Sequence, residues 1–308
     1  MLILPLRATD SSFLGLTGSH TLLVRKREIA PQLGAVSFSF MPIYCYNLVM
    51  EFQIQENKLT YDKVKYTPAV DWTKTFAEGK YAYLDNTKGI TQNTKTKDVL
   101  YFGTRYMEKA EDEEIFVSND YMADLTVINP GKVGNEFVKT VGHYHQNVPG
   151  LIIAYPEVYE AVSPNMEYLL QSEPDKDGKV DVLWVVTEPG DKVVMPPNWG
   201  HVSMNVGEKP GIEVDLQKRD NPNGSDYSMF KERIGGAFYR TVEGLVKNSN
   251  YEVASLRIVR PLERPDMGLT KGKALYDSFT EGPKTFDYLL HPEKYDFSLD
   301  GLFADIEL

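Results

Sequence analysis

Cysteine is nearly absent from this chain: Cys45 stands alone among 308 residues. A single thiol closes no internal disulfide and builds no cysteine metal cluster. A reducing compartment, the cytoplasm, suits such a chain, and Cys45 reads as a small buried or merely tolerated residue. Basic residues are also short, 33 Lys and Arg against 44 Asp and Glu, for a net charge of −11. That deficit argues against a nucleic-acid partner. It repels anions at long range too, so a phosphorylated ligand would need a local pocket of donors. Histidine is scarce, with only His20, His143, His145, His201 and His291. Long apolar runs are missing. The uncharged stretch from Ile29 to Met50 follows Arg25-Lys26-Arg27 in the outline of a signal anchor. Pro31, Gln32, Ser37, Ser39, Pro42 and Asn47 dilute and break it, which argues against a membrane segment.

What is present is the ordinary balance of a globular protein, 42% hydrophobic and 25% charged. Residues 1–49 carry a net charge of +2 and read as an N-terminal extension. Residues 50–110 read as a segment packing on the main domain, with a short helix possible from Asp71 to Tyr83, a loop from Asn86, and strand character from Asp98. Residues 111–218 read as β: short runs rich in Val, Ile, Tyr and Thr, beginning with IFVS at Ile115, are separated by turn signals. Asp175–Lys179 (DKDGK) is a hairpin turn in this reading. Such spacing suggests an all-β sandwich or double-sheet jelly roll. Residues 219–308 read as a wrapping tail with short helices, one of them in DYSMFKERIGG. Glu160, Glu167, Glu213 and Asp181 read as solvated carboxylates, and His20 and His291 as surface residues.

Three of the five histidines fall in the β region, and His143 and His145 are two residues apart. Alternate strand residues share a face, so both imidazoles can grip one ion while Tyr144 points away. Glu157 and Tyr159 share a face of the next strand-like run, PEVYEAV. His201 lies in GDKVVMPPNWGHVSMN, where Gly190, Pro196, His201 and Asn205 fit the second cupin motif. Asn198 stands where that motif has a turn glycine, and it too tolerates a left-handed backbone. The first motif is stretched, because QNVPGLIIAYP intervenes before the glutamate. Three imidazoles and a carboxylate suit a divalent Fe, Mn, Ni or Zn ion with open positions for substrate oxygens.

The string from Thr126 to His145 (TVINPGKVGNEFVKTVGHYH), the PEVYE run and the PPNWGH run resemble the cupin-type, or archaeal-type, glucose-6-phosphate isomerases, with a tail like that of the family's bacterial branch. The resemblance covers roughly residues 95–240. It implies a cupin double-stranded β-helix, a jelly-roll barrel, and interconversion of glucose 6-phosphate and fructose 6-phosphate, a step of glycolysis and gluconeogenesis. It implies one metal ion, Fe(II) foremost, held by His143, His145, Glu157 and His201. Substrate-contacting positions fall on Thr126, Thr140, Gly142 and Tyr159, and also on Tyr101 and Tyr227. A homodimer is implied as well. Two positions depart from the pattern: Gln217 replaces a tyrosine and Ser225 a histidine. An Fe(II) dioxygenase, a sugar-phosphate epimerase or a non-enzymatic sugar- or metal-binding cupin would use the same ligands.

Overall fold

The computed structural model describes residues 48–54, 59–66, 81–83, 99–109, 111–219 and 224–306. Cys45, His20, most of the uncharged stretch, the Asn86 loop and nearly all of the possible helix from Asp71 lie outside them. Among the described residues no helix is long and apolar enough to cross a membrane.

Two sheets carry the fold, which is the expected all-β double-sheet barrel. One has six strands in the order Lys192–Met195, Glu157–Ala161, Gly211–Lys218, Tyr121–Ile128, Val99–Thr104, Tyr81–Tyr83. The other has five, in the order Trp199–Asn205, Met166–Ser172, Lys179–Val186, Glu252–Pro261, Phe303–Asp305. Between Glu157 and Lys218 the chain passes repeatedly from one sheet to the other, as a jelly roll must. All these pairings are antiparallel except that of Lys179–Val186 with Glu252–Pro261. The hairpin at Asp175 turns on Gly178, whose φ is +79°, and Asp175 Oδ1 accepts from the Asp177 and Lys179 amides.

The C-terminal region does more than wrap the barrel: residues 252–261 and 303–305 are strands of the five-stranded sheet. Its helix Leu275–Glu281 and the 3-10 turn Pro283–Leu289 cover the outer face of the six-stranded sheet. Val158, Leu216, Ala123 and Tyr121 join Phe279, Phe286 and Tyr288 there in one buried cluster. Because the outer face is covered, the inner face is free to be polar. This cover also corrects the reading of Glu160 as solvated: it is 4% exposed, takes the Leu275 amide at 2.7 Å and pairs with Lys192 at 3.5 Å. Glu167 is likewise buried, accepting from Trp184 Nε1 at 2.7 Å and pairing with Arg240 at 2.9 Å.

IFVS is not a strand. Glu113–Asn119 is a helix, with Phe116 buried, Val117 exposed and Asp120 closing it at φ +65°. The run was read as β because Ile115, Phe116 and Val117 all suit strands, but only Phe116 is buried, 4.5 Å from the Phe279 ring. Glu113 and Glu114 in the first turn favour a helix through its dipole. The expected short helix in the tail is present as Ser228–Glu232.

Phe279 is fully buried where the helix, the outer sheet face and Phe116 meet. Phe279→Ala is therefore expected to cost about 3–5 kcal/mol in chemical denaturation. A loss below about 1 kcal/mol would show that this cover is not part of the cooperative core.

Candidate metal centre

Strand parity places the ligands. Glu157 and Tyr159 point inward from the six-stranded sheet, while Val158 and Glu160 point outward. His201 points inward from the facing sheet, and His143 is bridged to it backbone to backbone, the His201 amide donating to His143 O at 3.0 Å and the His143 amide to His201 O at 3.3 Å. His145 follows on the two-residue strand Tyr144–His145. Tyr144 points the other way, into a cluster with Phe230 and Leu169.

Both histidine segments carry a preceding glycine for the same reason. A Cβ on Gly142 would overlap the Phe230 ring, and one on Gly200 would lie 2.6 Å from Tyr144 and 2.8 Å from Phe230. Glycine lets these rings pack directly behind the two backbones.

The ligand atoms of His143, His145, Glu157 and His201 all lie within 4.8 Å of one another. The imidazole centroids are 4.3 Å (His143–His201), 5.2 Å (His143–His145) and 5.1 Å (His145–His201) apart. Glu157 Oε2 is buried with no hydrogen bond of acceptable geometry, although His145 Nε2 is 3.1 Å away and His201 Nε2 3.5 Å. His145 Nδ1 lies 2.8 Å from Tyr155 O, which accepts its N–H and leaves Nε2 as the lone pair facing inward. Burial and the neighbouring imidazoles hold His143 well below the usual histidine range, and burial followed by His145 lowers His201 to about 3. Both are thus neutral donors at pH 7. Burial opposes charge on His145 and Glu157, yet their mutual contact outweighs it, raising the imidazole and lowering the carboxyl. An orphaned carboxylate oxygen facing three imidazoles fits a shared divalent ion, whose ligands approach to about 2.0–2.2 Å.

Three of the four candidate ligands, His143, Glu157 and His201, line a cavity of about 280 Å³. Of the sequence-derived substrate positions, Tyr101, Thr126, Thr140, Tyr159 and Tyr227 line it; Gly142 is not among the lining residues, and the space a side chain would take there is filled by Phe230. Tyr159 Oη lies 3.4 Å from His201 Nε2, and the Tyr227 ring 5.3 Å from that of His143. Thr140 Oγ1 accepts from the Ser203 amide at 3.0 Å, and Tyr101 Oη from the Val141 amide at 3.2 Å. Both departing residues, Gln217 and Ser225, are on the wall.

Sequence reasoning missed an inward set of carboxylates. Glu213, read as solvated, is 1% exposed on the cavity wall, with Asp215 and Asp124 beside it. Burial pushes Glu213 up to about 8 against the Ser203 and Tyr168 hydrogen bonds. Burial and the nearby Glu157 and Asp124 charges raise Asp215 well above the usual range. The signal was available as period-two polar residues, Glu213-x-Asp215-x-Gln217, within an otherwise apolar strand. Arg105, also missed, is the only Lys or Arg among the described lining residues; its side chain is 45% exposed and 2.6 Å from Asp124 Oδ2.

The family described as Glucose-6-phosphate isomerase (GPI) matches residues 73–255, more than half of the chain. The chain belongs to the glucose-6-phosphate isomerase family. The glucose-6-phosphate isomerase of Pyrococcus furiosus is 38% identical over 151 residues, which are 49% of this chain and 71% of that protein. That of Thermococcus onnurineus is 39% identical over 108 residues, 35% of this chain, so the match spans only about half (51%) of that relative's length. A bacterial isomerase from Sinorhizobium medicae is 29% identical over 41% of this chain and 53% of its own. Among solved structures, oxalate oxidase in complex with the substrate analogue glycolate matches with a TM-score of 0.31 and 16% identity, covering 44% of this chain and 59% of that one. That overlap is too slight to bear on function.

For this family member, Gly142→Ala is expected to displace the His143 segment or the Phe230 ring and weaken Zn(II) binding about tenfold or more. Calorimetric titration of the EDTA-stripped protein checks it; unchanged affinity would show that the glycine is not needed for the site.

Proposed function

We propose that this chain interconverts glucose 6-phosphate and fructose 6-phosphate at the cavity described above, with one divalent ion, Fe(II) foremost, held by His143, His145, Glu157 and His201. The observation that carries the reading is the orphaned Glu157 Oε2 among three imidazoles, at the floor of a cavity in a family member. A bound divalent ion supplies Lewis-acid stabilisation of the negative charge that develops on two adjacent sugar oxygens. Glu157 takes the proton from one carbon and returns it to its neighbour. Tyr159, beside His201, orients a sugar hydroxyl. Glu213, protonated at neutral pH by its burial, donates to another.

Thr126, Thr140, Tyr101 and Tyr227 supply hydrogen bonds to the substrate's remaining oxygens. Arg105, the one guanidinium among the described lining residues, takes the phosphate, resolving the long-range repulsion of a chain at −11. The single cysteine supports a cytoplasmic setting, and a homodimer rests on the family likeness alone.

Coupling glucose 6-phosphate formation to a dehydrogenase tests the reading. EDTA-stripped protein should be inactive and regain turnover with Fe(II), Mn(II), Ni(II) or Zn(II). Inactivity with every ion, despite stoichiometric binding, would refute the isomerase. Glu157→Gln should lower kcat by about 10²–10⁴-fold, and kcat near the wild-type value would remove Glu157 from the proton path. Arg105→Ala should raise KM for fructose 6-phosphate about tenfold or more with kcat little changed; an unchanged KM would place the phosphate elsewhere.

A further inference from the structure

Glu157 is held by a residue outside the ligand set. Gln217 donates from Nε2 to Glu157 Oε1 at 2.8 Å. The same nitrogen lies 3.0 Å from Asp215 Oδ2 and 3.2 Å from Asp124 Oδ2. It is therefore a neutral donor set among three carboxylates, with two N–H groups to share and no accepting capacity on that atom. Its surroundings are themselves tied down. Asp124 accepts from Arg105 Nη1 at 2.6 Å and from the Tyr106 amide at 3.0 Å. Asp215 shares the Gln217 strand and sits in register with Tyr159.

The consequence is a division between the two oxygens of Glu157. Oε1 is occupied by the amide, and Oε2 is left facing His145 and His201. The terminal torsion of a glutamate is soft, so a carboxylate without such a tie turns easily. In this buried position, turning Glu157 would forfeit the Gln217 bond, with a cost typical of a hydrogen bond to a charged group.

We propose that Gln217 is a positioning residue that presents Glu157 to the metal through Oε2 alone. The proposal rests on the reading of His143, His145, Glu157 and His201 as the metal ligands. Gln217 acts through Glu157 and does not itself ligate. Removing an outer partner of a metal ligand costs about 10–100-fold in affinity.

Co(II) titration of the EDTA-stripped, full-length chain tests this, read by calorimetry and by the visible absorption of the bound ion. Gln217→Met keeps the length of the side chain and lacks the donor; Gln217→Leu is a second donor-free variant should the first fail to fold. Either folded variant should bind Co(II) about 10–100-fold more weakly than wild type, with a shifted visible band. A shift in both readouts supports the assignment, because loss of packing alone does not alter the ligand field of the ion. Wild-type affinity and an unshifted band in a folded variant would overturn it. If the wild type itself binds no Co(II), the metal reading falls and takes this proposal with it, whereas Co(II) binding without sugar-phosphate turnover contradicts only the isomerase. The failures are therefore distinguishable.

Discussion

A glutamate carboxylate with 1% of its surface exposed is the constraint on which the rest of this structure depends. An isolated buried carboxylate is too costly to persist; it needs donors, opposite charge or a cation. Glu157 accepts from Gln217 at Oε1, at 2.8 Å. Its other oxygen faces imidazoles, two of which are neutral through burial. The remaining electrostatic demand is the one a divalent ion meets, and one nitrogen from each of three imidazoles lies within 4.8 Å of the carboxylate to share it.

Assembling the group requires both sheets. Glu157 comes from one, His201 from the other, and the His143–His145 segment is bridged to the second by paired backbone hydrogen bonds. Two glycines let Phe230 and Tyr144 back those segments directly. The six-stranded sheet can devote its inner face to polar groups because the C-terminal region supplies an apolar cover outside, through Phe279, Phe286 and Tyr288. Stability is thus concentrated on the outer face and chemistry on the inner one, and the strand period of two keeps them apart.

Much of this was legible in the sequence where a short motif carried it. The His143–His145 pair, Glu157 with Tyr159, and His201 with Asn198 needed only strand alternation and a turn. Asn198 takes the left-handed backbone anticipated for it, at φ +66°, and its side chain accepts from the Ala154 amide, anchoring the stretched insert. What escaped depended on distant partners. Glu160 and Glu167 look solvated until Leu275, Lys192, Trp184 and Arg240 arrive from elsewhere in the chain. Arg105 lies far from any motif and joins the site only because Asp124 is on the neighbouring strand. The IFVS run was misread because composition suggested β where one-sided burial makes a helix.

X-ray absorption at the edge of a single bound Zn(II) or Fe(II), on the wild type and on His143→Ala and Glu157→Gln, tests the shared metal centre most directly. The account predicts one ion per chain with a shell of three imidazole nitrogens and one carboxylate oxygen at about 2.0–2.2 Å. Each variant should lose its own contribution to that shell. A wild-type shell lacking the three imidazoles, or one unchanged by both substitutions, would contradict the account.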